Sequence, residues 1–239
     1  MKLRAPISVD IYLTSLCNLK CRKCNVYPLF DSPKYLDTRL GTNQLLQLLD
    51  ELKKLKVFKI TFLGGEPLLA QDFFEVSKYA IDQGFDTTFS TNGTLLNKKT
   101  AEKLREIGYE SFQISIDGAD EKTLAYFMGN GTFSNVINGI KNSVEMGLQV
   151  HLAYVVAKHN LGQVSSFVRL AKKLGVRSCQ FVSIMPFGRA TYKLQDWDLS
   201  PSQWKRLLLL LKKIKEGSQS ELLIQFDRRF EFLDDFVAI

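Results

Sequence analysis

Short apolar runs alternate with segments of helical period along most of the chain, and this alternation limits the fold more than any other feature of the sequence. Strands read at Ser8 to Thr14, Lys59 to Leu63, Asp86 to Ser90, Ser111 to Ile116, Gln149 to Val156 and Arg177 to Ile184, with a seventh candidate at Leu222 to Asp227. Each is short enough to be a buried parallel strand. Between them Leu45, Leu48, Leu49, Leu52 and Leu55 recur at helical spacing behind Thr42-Asn43. Similar periods run through Phe73 to Ile81, Thr100 to Ile107, Val136 to Met146 and Val164 to Leu174. Gly84, Gly108, Gly147 and Gly175 each follow such a segment, as C-terminal caps do. Parallel strands joined by helices in this number predict an α/β fold: a doubly wound sheet, or a β/α barrel that is open or closed.

Composition bounds what such a fold does. With 239 residues, 45% hydrophobic and 24% charged, disorder is excluded and one sizeable core is affordable. No low-complexity tract or linker divides the chain, so residues 1–239 read as a single domain with its core at about 8–190. Residues 191–239 read as a C-terminal helix, a candidate edge strand and an apolar tail. That tail, from Phe230 to Ile239, ends without a cap, as in a cut chain or one that docks on a partner. The net charge of +7 is scattered, which suits an anionic substrate and argues against a nucleic-acid arm. The longest aliphatic run, Leu207 to Leu211, is too short to span a bilayer. Because no apolar h-region follows Met1-Lys2-Leu3-Arg4-Ala5-Pro6, a cytoplasmic location with reduced cysteines is expected.

Chemistry concentrates in four segments that each follow a strand. They are Cys17 to Cys24, Leu63-Gly64-Gly65-Glu66-Pro67, Ser90-Thr91-Asn92-Gly93-Thr94 and Ser115-Ile116-Asp117-Gly118. The carboxyl ends of parallel strands share one face, so these segments are expected to converge on one site. The cysteines are spaced Cys17-x3-Cys21-x2-Cys24. Three thiolates in one loop can hold three irons of a cubane cluster and leave the fourth open. A structural zinc site would need a fourth ligand, and His151, His159 and Cys179 are all remote in sequence. Lys20, Arg22 and Lys23 interleave the cysteines and offset cluster charge. The loop from Pro28 to Gly41 is long, and a long loop beside such a cluster is usually functional.

The cysteine spacing followed by Gly64-Gly65-Glu66-Pro67 resembles the radical S-adenosylmethionine (radical SAM) superfamily. The resemblance runs from about Ser8 to Arg189 and includes Gly129-Asn130-Gly131-Thr132-Phe133 and Met185-Pro186-Phe187-Gly188-Arg189. These shapes are similar to the branch of peptide maturases, tetrapyrrole-modifying enzymes and sulfatase-maturing enzymes. The resemblance implies a partial (β/α)6 TIM-like barrel with parallel strands, a 4Fe-4S cluster on Cys17, Cys21 and Cys24, and SAM on the open iron. It further implies an oxidoreductase that cleaves SAM to a 5'-deoxyadenosyl radical and modifies a peptide or a tetrapyrrole or cofactor precursor. The electron donor would be a reduced flavodoxin or ferredoxin. Many members of that branch carry a cysteine-rich C-terminal extension that this sequence does not show; it reads either as an N-terminal fragment or as an enzyme with a single cluster, and a homodimer, a partner protein or a large substrate is expected to cover the barrel mouth.

Roles follow for the matching residues. Gly64 and Gly65 would allow positive φ and close backbone approach, Glu66 would offer a carboxylate to the SAM ammonium, and Pro67 would fix the turn. Ser90, Asn92, Ser115 and Asp117 suit ribose hydroxyls and the SAM carboxylate, although Asn-Gly and Asp-Gly are also strong turn formers. Arg189 could clamp a carboxylate. Val155, Val156 and Asn160 stand where relatives hold adenine, although the valines read first as plain barrel core, and Cys179 reads as a small buried hydrophobe. Two positions depart from the family. Lys23 replaces a frequent aromatic residue, for which Tyr27 or Phe30 are substitutes, and Met128 replaces a frequent Arg, for which Lys122 or Arg189 are substitutes. No residue reads as a general base or hydrogen donor. The alternative reading is a non-catalytic metal-binding α/β protein, either an iron-sulfur relative without SAM cleavage or a zinc-stabilised domain.

Overall fold

The structure, a computed structural model, describes residues 5–26, 39–216 and 222–226. Strands β1 (Ser8–Tyr12), β2 (Lys59–Leu63), β3 (Asp86–Thr91), β4 (Ser111–Ser115), β5 (Gln149–Val156), β6 (Ser178–Ser183) and β7 (Leu223–Phe226) form one parallel sheet in the order 1-2-3-4-5-6-7. A doubly wound sheet reverses its strand order at a switch point. Here the order never reverses, and this decides for the barrel-like alternative in its open form. Tyr27, Phe30, the segment from Pro28 to Thr38 and the tail from Phe230 lie outside the described residues.

Five helices occupy the expected places: α1 (Thr42–Lys54), α2 (Phe73–Asp82), α3 (Lys98–Glu106), α5 (Thr132–Glu145) and α6 (Val164–Leu174). The four glycines that follow helical segments all have positive φ, between 70° and 101°. Helix α4 (Glu121–Met128) adds an element that the turn-rich flanks of Asp117-Gly118 and Gly129-Asn130-Gly131 conceal. Asp120 caps it by accepting the Thr123 N–H at 2.8 Å, and Leu124, Phe127 and Met128 face inward. Helices α7 (Leu194–Trp197) and α8 (Pro201–Glu216) follow β6. Among the described residues no helix is long and apolar enough to cross a membrane.

The strands differ from the fully buried type in one respect that shapes the site. Their outward residues, among them Ile60, Phe62, Phe89, Phe112, Ile114, Leu152, Tyr154 and Phe181, are buried beneath the helices. Phe89 stacks on Phe112 at 4.6 Å and meets Tyr109 and Phe73 edge-on at 5.0 and 5.1 Å, which seals that layer. Alternate residues face the opposite way. On that inner face Ser90, Gln113, Ser115 and Gln180 remain half-buried and line an open cavity. The inner side of the sheet is therefore mixed, these polar side chains sharing the cavity wall with Leu63, Ala153, Val155 and Val182.

Candidate active site

The cysteine loop follows β1 and lies across the carboxyl ends of the other strands. Its entry is fixed by backbone pairing, with the Gly65 N–H donating to Thr14 O and the Glu66 N–H to Leu16 O, both at 2.7 Å. A Cβ on Gly65 would stand 2.2 Å from Leu16 O, and one on Gly64 would stand 2.7 Å from Thr14 O. Neither glycine has positive φ. Close approach of the two chains is thus the whole reason for the pair, and the expectation of positive φ there is corrected.

Beyond its entry the loop is gripped from four sides. On the β3 side, Asn92 Nδ2 donates to Asn18 Oδ1 at 2.9 Å, and Asn18 Nδ2 donates to Thr94 Oγ1 at 2.8 Å. From α4, Phe127 O accepts the Arg22 N–H at 2.8 Å, while the Arg22 guanidinium lies 4.8 Å over the Tyr126 ring. Past β6, Arg189 donates from its backbone to Cys24 O at 3.0 Å and from Nη1 to Cys21 O at 3.2 Å. At the end of β4, Lys23 Nζ lies 2.5 Å from Asp117 Oδ2.

These contacts enclose a cavity of about 580 Å³. Cys17, Cys21, Cys24, Gly64, Gly65, Ser90, Asn92, Ser115 and Arg189 all line it, so the four sequence segments do converge. Glu66, Pro67 and Asp117 do not line it. Glu66 is wholly buried and accepts from Thr91 Oγ1 at 2.7 Å, the Asn92 N–H at 2.8 Å and the Leu68 N–H at 3.3 Å. A carboxylate held by these three donors is turned to the scaffold. Pro67 opens a single 3₁₀ turn, Pro67–Leu69, that Glu66 caps. Asp117 is likewise wholly buried, with Oδ1 taking the Val155 N–H at 2.8 Å and Oδ2 facing Lys23.

Of the remaining candidates, Val155 lines the cavity whereas Val156 and Asn160 are buried behind it. Asn160 Nδ2 donates to Val155 O and Asp117 O at 2.8 and 3.0 Å, and thereby ties the end of β5 to that of β4. Met128 lines the cavity; Lys122 does not. Cys179 is fully buried and its thiol is pushed up to about 12, as an inert core residue. The polar wall itself was not singled out from the sequence. Ser90 Oγ donates to Gln113 Oε1 at 3.2 Å, and Gln113 Nε2 to Gln180 Oε1 at 2.9 Å. The alternation of polar and apolar residues in Ser111-Phe112-Gln113-Ile114-Ser115 and Ser178-Cys179-Gln180-Phe181 carries that signal.

The donor set fits an iron-sulfur cluster. Three thiols face one cavity, and burial pushes Cys21 up to about 12, so a bare thiolate there needs a cation in place of its proton. Burial raises Cys17 as well. Among the described residues no three His, Cys, Asp or Glu side chains converge on a single point as ligands of one ion would.

The Radical SAM superfamily profile matches residues 11–171, and the chain belongs to that superfamily, whose enzymes use a 4Fe-4S cluster and SAM. It is 33% identical over 219 residues to the mycofactocin maturase MftC of Mycobacterium tuberculosis (strain CDC 1551 / Oshkosh), covering 91% of this chain and 54% of the relative. It is 30% identical over 219 residues to the AdoMet-dependent heme synthase of Methanosarcina barkeri (strain Fusaro / DSM 804), covering 91% and 61%. The chain thus spans somewhat more than half the length of these relatives. In fold it is similar to Streptococcus suis SuiB, solved with the precursor peptide SuiA, with a TM-score of 0.82, 19% identity, and coverage of 97% of this chain and 51% of that one.

Proposed function

We propose that this chain is the core of an enzyme that cleaves SAM reductively at a 4Fe-4S cluster and uses the radical to modify a peptide. The observation that carries the peptide reading is the neutral barrel wall. The strands contribute hydroxyls, amides and apolar groups to the cavity and no charged side chain, while its cations, Lys20, Lys23 and Arg189, belong to the cysteine loop or grip it. A tetrapyrrole precursor bearing several carboxylates would call for cations on the wall. A peptide backbone presents neutral donors and acceptors that Gln113 and Gln180 can match. The likeness to MftC and to SuiB with its precursor peptide supports the same choice.

In this reading Cys17, Cys21 and Cys24 would hold the cluster, with SAM in the cavity beside it. When bound, the cluster would supply the electron for reductive cleavage of SAM to methionine and a 5'-deoxyadenosyl radical. The chain's own groups bind and orient. Gly64 and Gly65 present backbone at the cavity floor, while Ser90, Asn92, Ser115 and Arg189 supply hydroxyl, amide and guanidinium groups suited to ribose and carboxylate. Ser115 Oγ has no protein partner among the described residues and is open to a ligand hydroxyl. Glu66, Pro67 and Asp117 act from behind by fixing the strand ends. A reduced flavodoxin or ferredoxin in a reducing cytoplasm would deliver the electron, and the peptide or a second protein chain would cover the mouth.

The test is anaerobic reconstitution with iron and sulfide, reduction by dithionite, addition of SAM and measurement of 5'-deoxyadenosine. Product is expected from the native chain and none from Cys21→Ala. Adding peptides encoded by short reading frames beside the gene should raise the yield, whereas stimulation by a tetracarboxylate tetrapyrrole instead would overturn the peptide assignment.

A further inference from the structure

Lys23 stands between Cys21 and Cys24, and its side chain reaches the carboxyl end of β4, where it meets Asp117. Its partner is fixed from both sides. Asp117 Oδ1 accepts the Val155 N–H at 2.8 Å, and Asp117 O accepts from Asn160 Nδ2 at 3.0 Å, so β4 and β5 together hold the carboxylate still. Both members of the pair are out of water, the side chain of Asp117 wholly and that of Lys23 to 12% exposure. Among the described residues no other donor meets Asp117 Oδ2. The hydrogen bonds from Arg189 and Phe127 to this half of the loop go to its backbone, and the Arg22 guanidinium packs over Tyr126.

We propose that the Lys23–Asp117 ion pair is a latch that positions the Cys21–Cys24 segment and keeps the charge beside the cluster balanced. Lys23 is a positioning residue: it touches the loop's anchor and no reacting atom. The proposal rests on the reading of the three cysteines as cluster ligands. Its physical basis is the asymmetry of buried pairs. A complete pair is nearly neutral towards its surroundings, whereas removing one partner leaves an uncompensated charge in a low-dielectric site. Loss of Lys23 would leave a negative charge beside the cluster and disfavour added electrons. Loss of the Asp117 charge would leave a positive one and favour them. A contact that served packing alone would not give effects of opposite sign.

The experiment uses the full chain as native protein and as Lys23→Met, Asp117→Asn, Lys23→Met/Asp117→Asn and Lys23→Arg. After reconstitution the reduction potential of the cluster is measured by redox titration with EPR detection. Lys23→Met is expected to lower the potential and Asp117→Asn to raise it; the double variant, which has no unpaired buried charge and is the safest to fold, should return towards the native value. In the iron-free chain, backbone amide hydrogen exchange at residues 21–24 should quicken roughly tenfold in Lys23→Met, as expected of a loop freed to open locally, and less in Lys23→Arg. Shifts of the same sign in both single variants, or unchanged exchange, would overturn the proposal. If the native chain takes up no cluster, the cysteine reading fails, and the exchange rates still decide whether the pair holds the loop.

Discussion

Gly65 and Leu16 pass so closely that a single methyl on the glycine would overlap the leucine carbonyl, at 2.2 Å from its oxygen. The obstacle is backbone on both sides, so no rotamer change relieves it. Gly65→Ala should therefore push the cysteine loop off the sheet end. We expect a loss of about 3 kcal/mol in denaturant unfolding together with loss of iron binding. Gly162→Ala, where nothing lies within 4 Å of the added carbon, is the control and should leave both unchanged. Equal iron content in the two variants would sink the idea.

Glu66 is expected to matter for folding before it matters for ligand affinity. Glu66→Ala removes the acceptor of the buried Thr91 hydroxyl and of the half-buried Asn92 and Leu68 N–H groups. Each such group costs on the order of 1–3 kcal/mol, so a loss of ~3 kcal/mol is expected in chemical denaturation. An unchanged midpoint with weakened SAM binding would instead favour a direct role for its carboxylate.

The chain has two histidines, and both are held below the usual value of 6.5. Burial is the first cause in each case, with Arg177 and Lys59 adding to it at His151, and Lys122 and Arg22 at His159. A histidine with a lowered folded pKa favours the neutral form, so its contribution is complete above 6.5 and is lost as pH falls below that value. Thermal stability should accordingly decline from about pH 7 towards pH 5.5, and His151→Gln should flatten part of that decline. A native profile that rises over the same interval would contradict the assignment.

The amide wall makes a separable prediction about coupling. Gln113→Ala and Gln180→Ala are expected to leave substrate-independent 5'-deoxyadenosine formation near native levels. Peptide-stimulated product should fall roughly fivefold, the scale of one neutral hydrogen bond. Comparing the two yields by chromatography checks it; an equal fall in both would place the glutamines with SAM binding.

Much of this architecture was legible in the sequence because period and punctuation are local properties. The limits of β2 and β5 follow from apolar alternation, and the glycine caps mark helix ends where positive φ is needed. Helix α4 was hidden because its eight residues sit between two turn-forming pairs that outweigh the spacing of Leu124, Phe127 and Met128. The convergence of the cysteines with Gly64, Gly65, Ser90, Asn92, Ser115 and Arg189 could be inferred from strand ends sharing one face. What local pattern cannot carry is which way a side chain turns at that face. Glu66 and Asp117 stand in motifs that suggest ligand contact, yet partners distant in sequence, Thr91 and Asn92 for one and Lys23 for the other, draw them into the scaffold.

The strictly sequential strand order has a consequence for how the site comes into being. Each strand pairs with the one made just before it, so loop closures are short and the sheet can grow from its first strand to its last during synthesis. The cysteine loop does not share that convenience. Its contact from Arg189 Nη1 to Cys21 O joins residues 168 positions apart, and it closes only after β6 exists. The loop emerges early from the ribosome and is finished late, so iron delivery is expected to follow the assembly of the sheet.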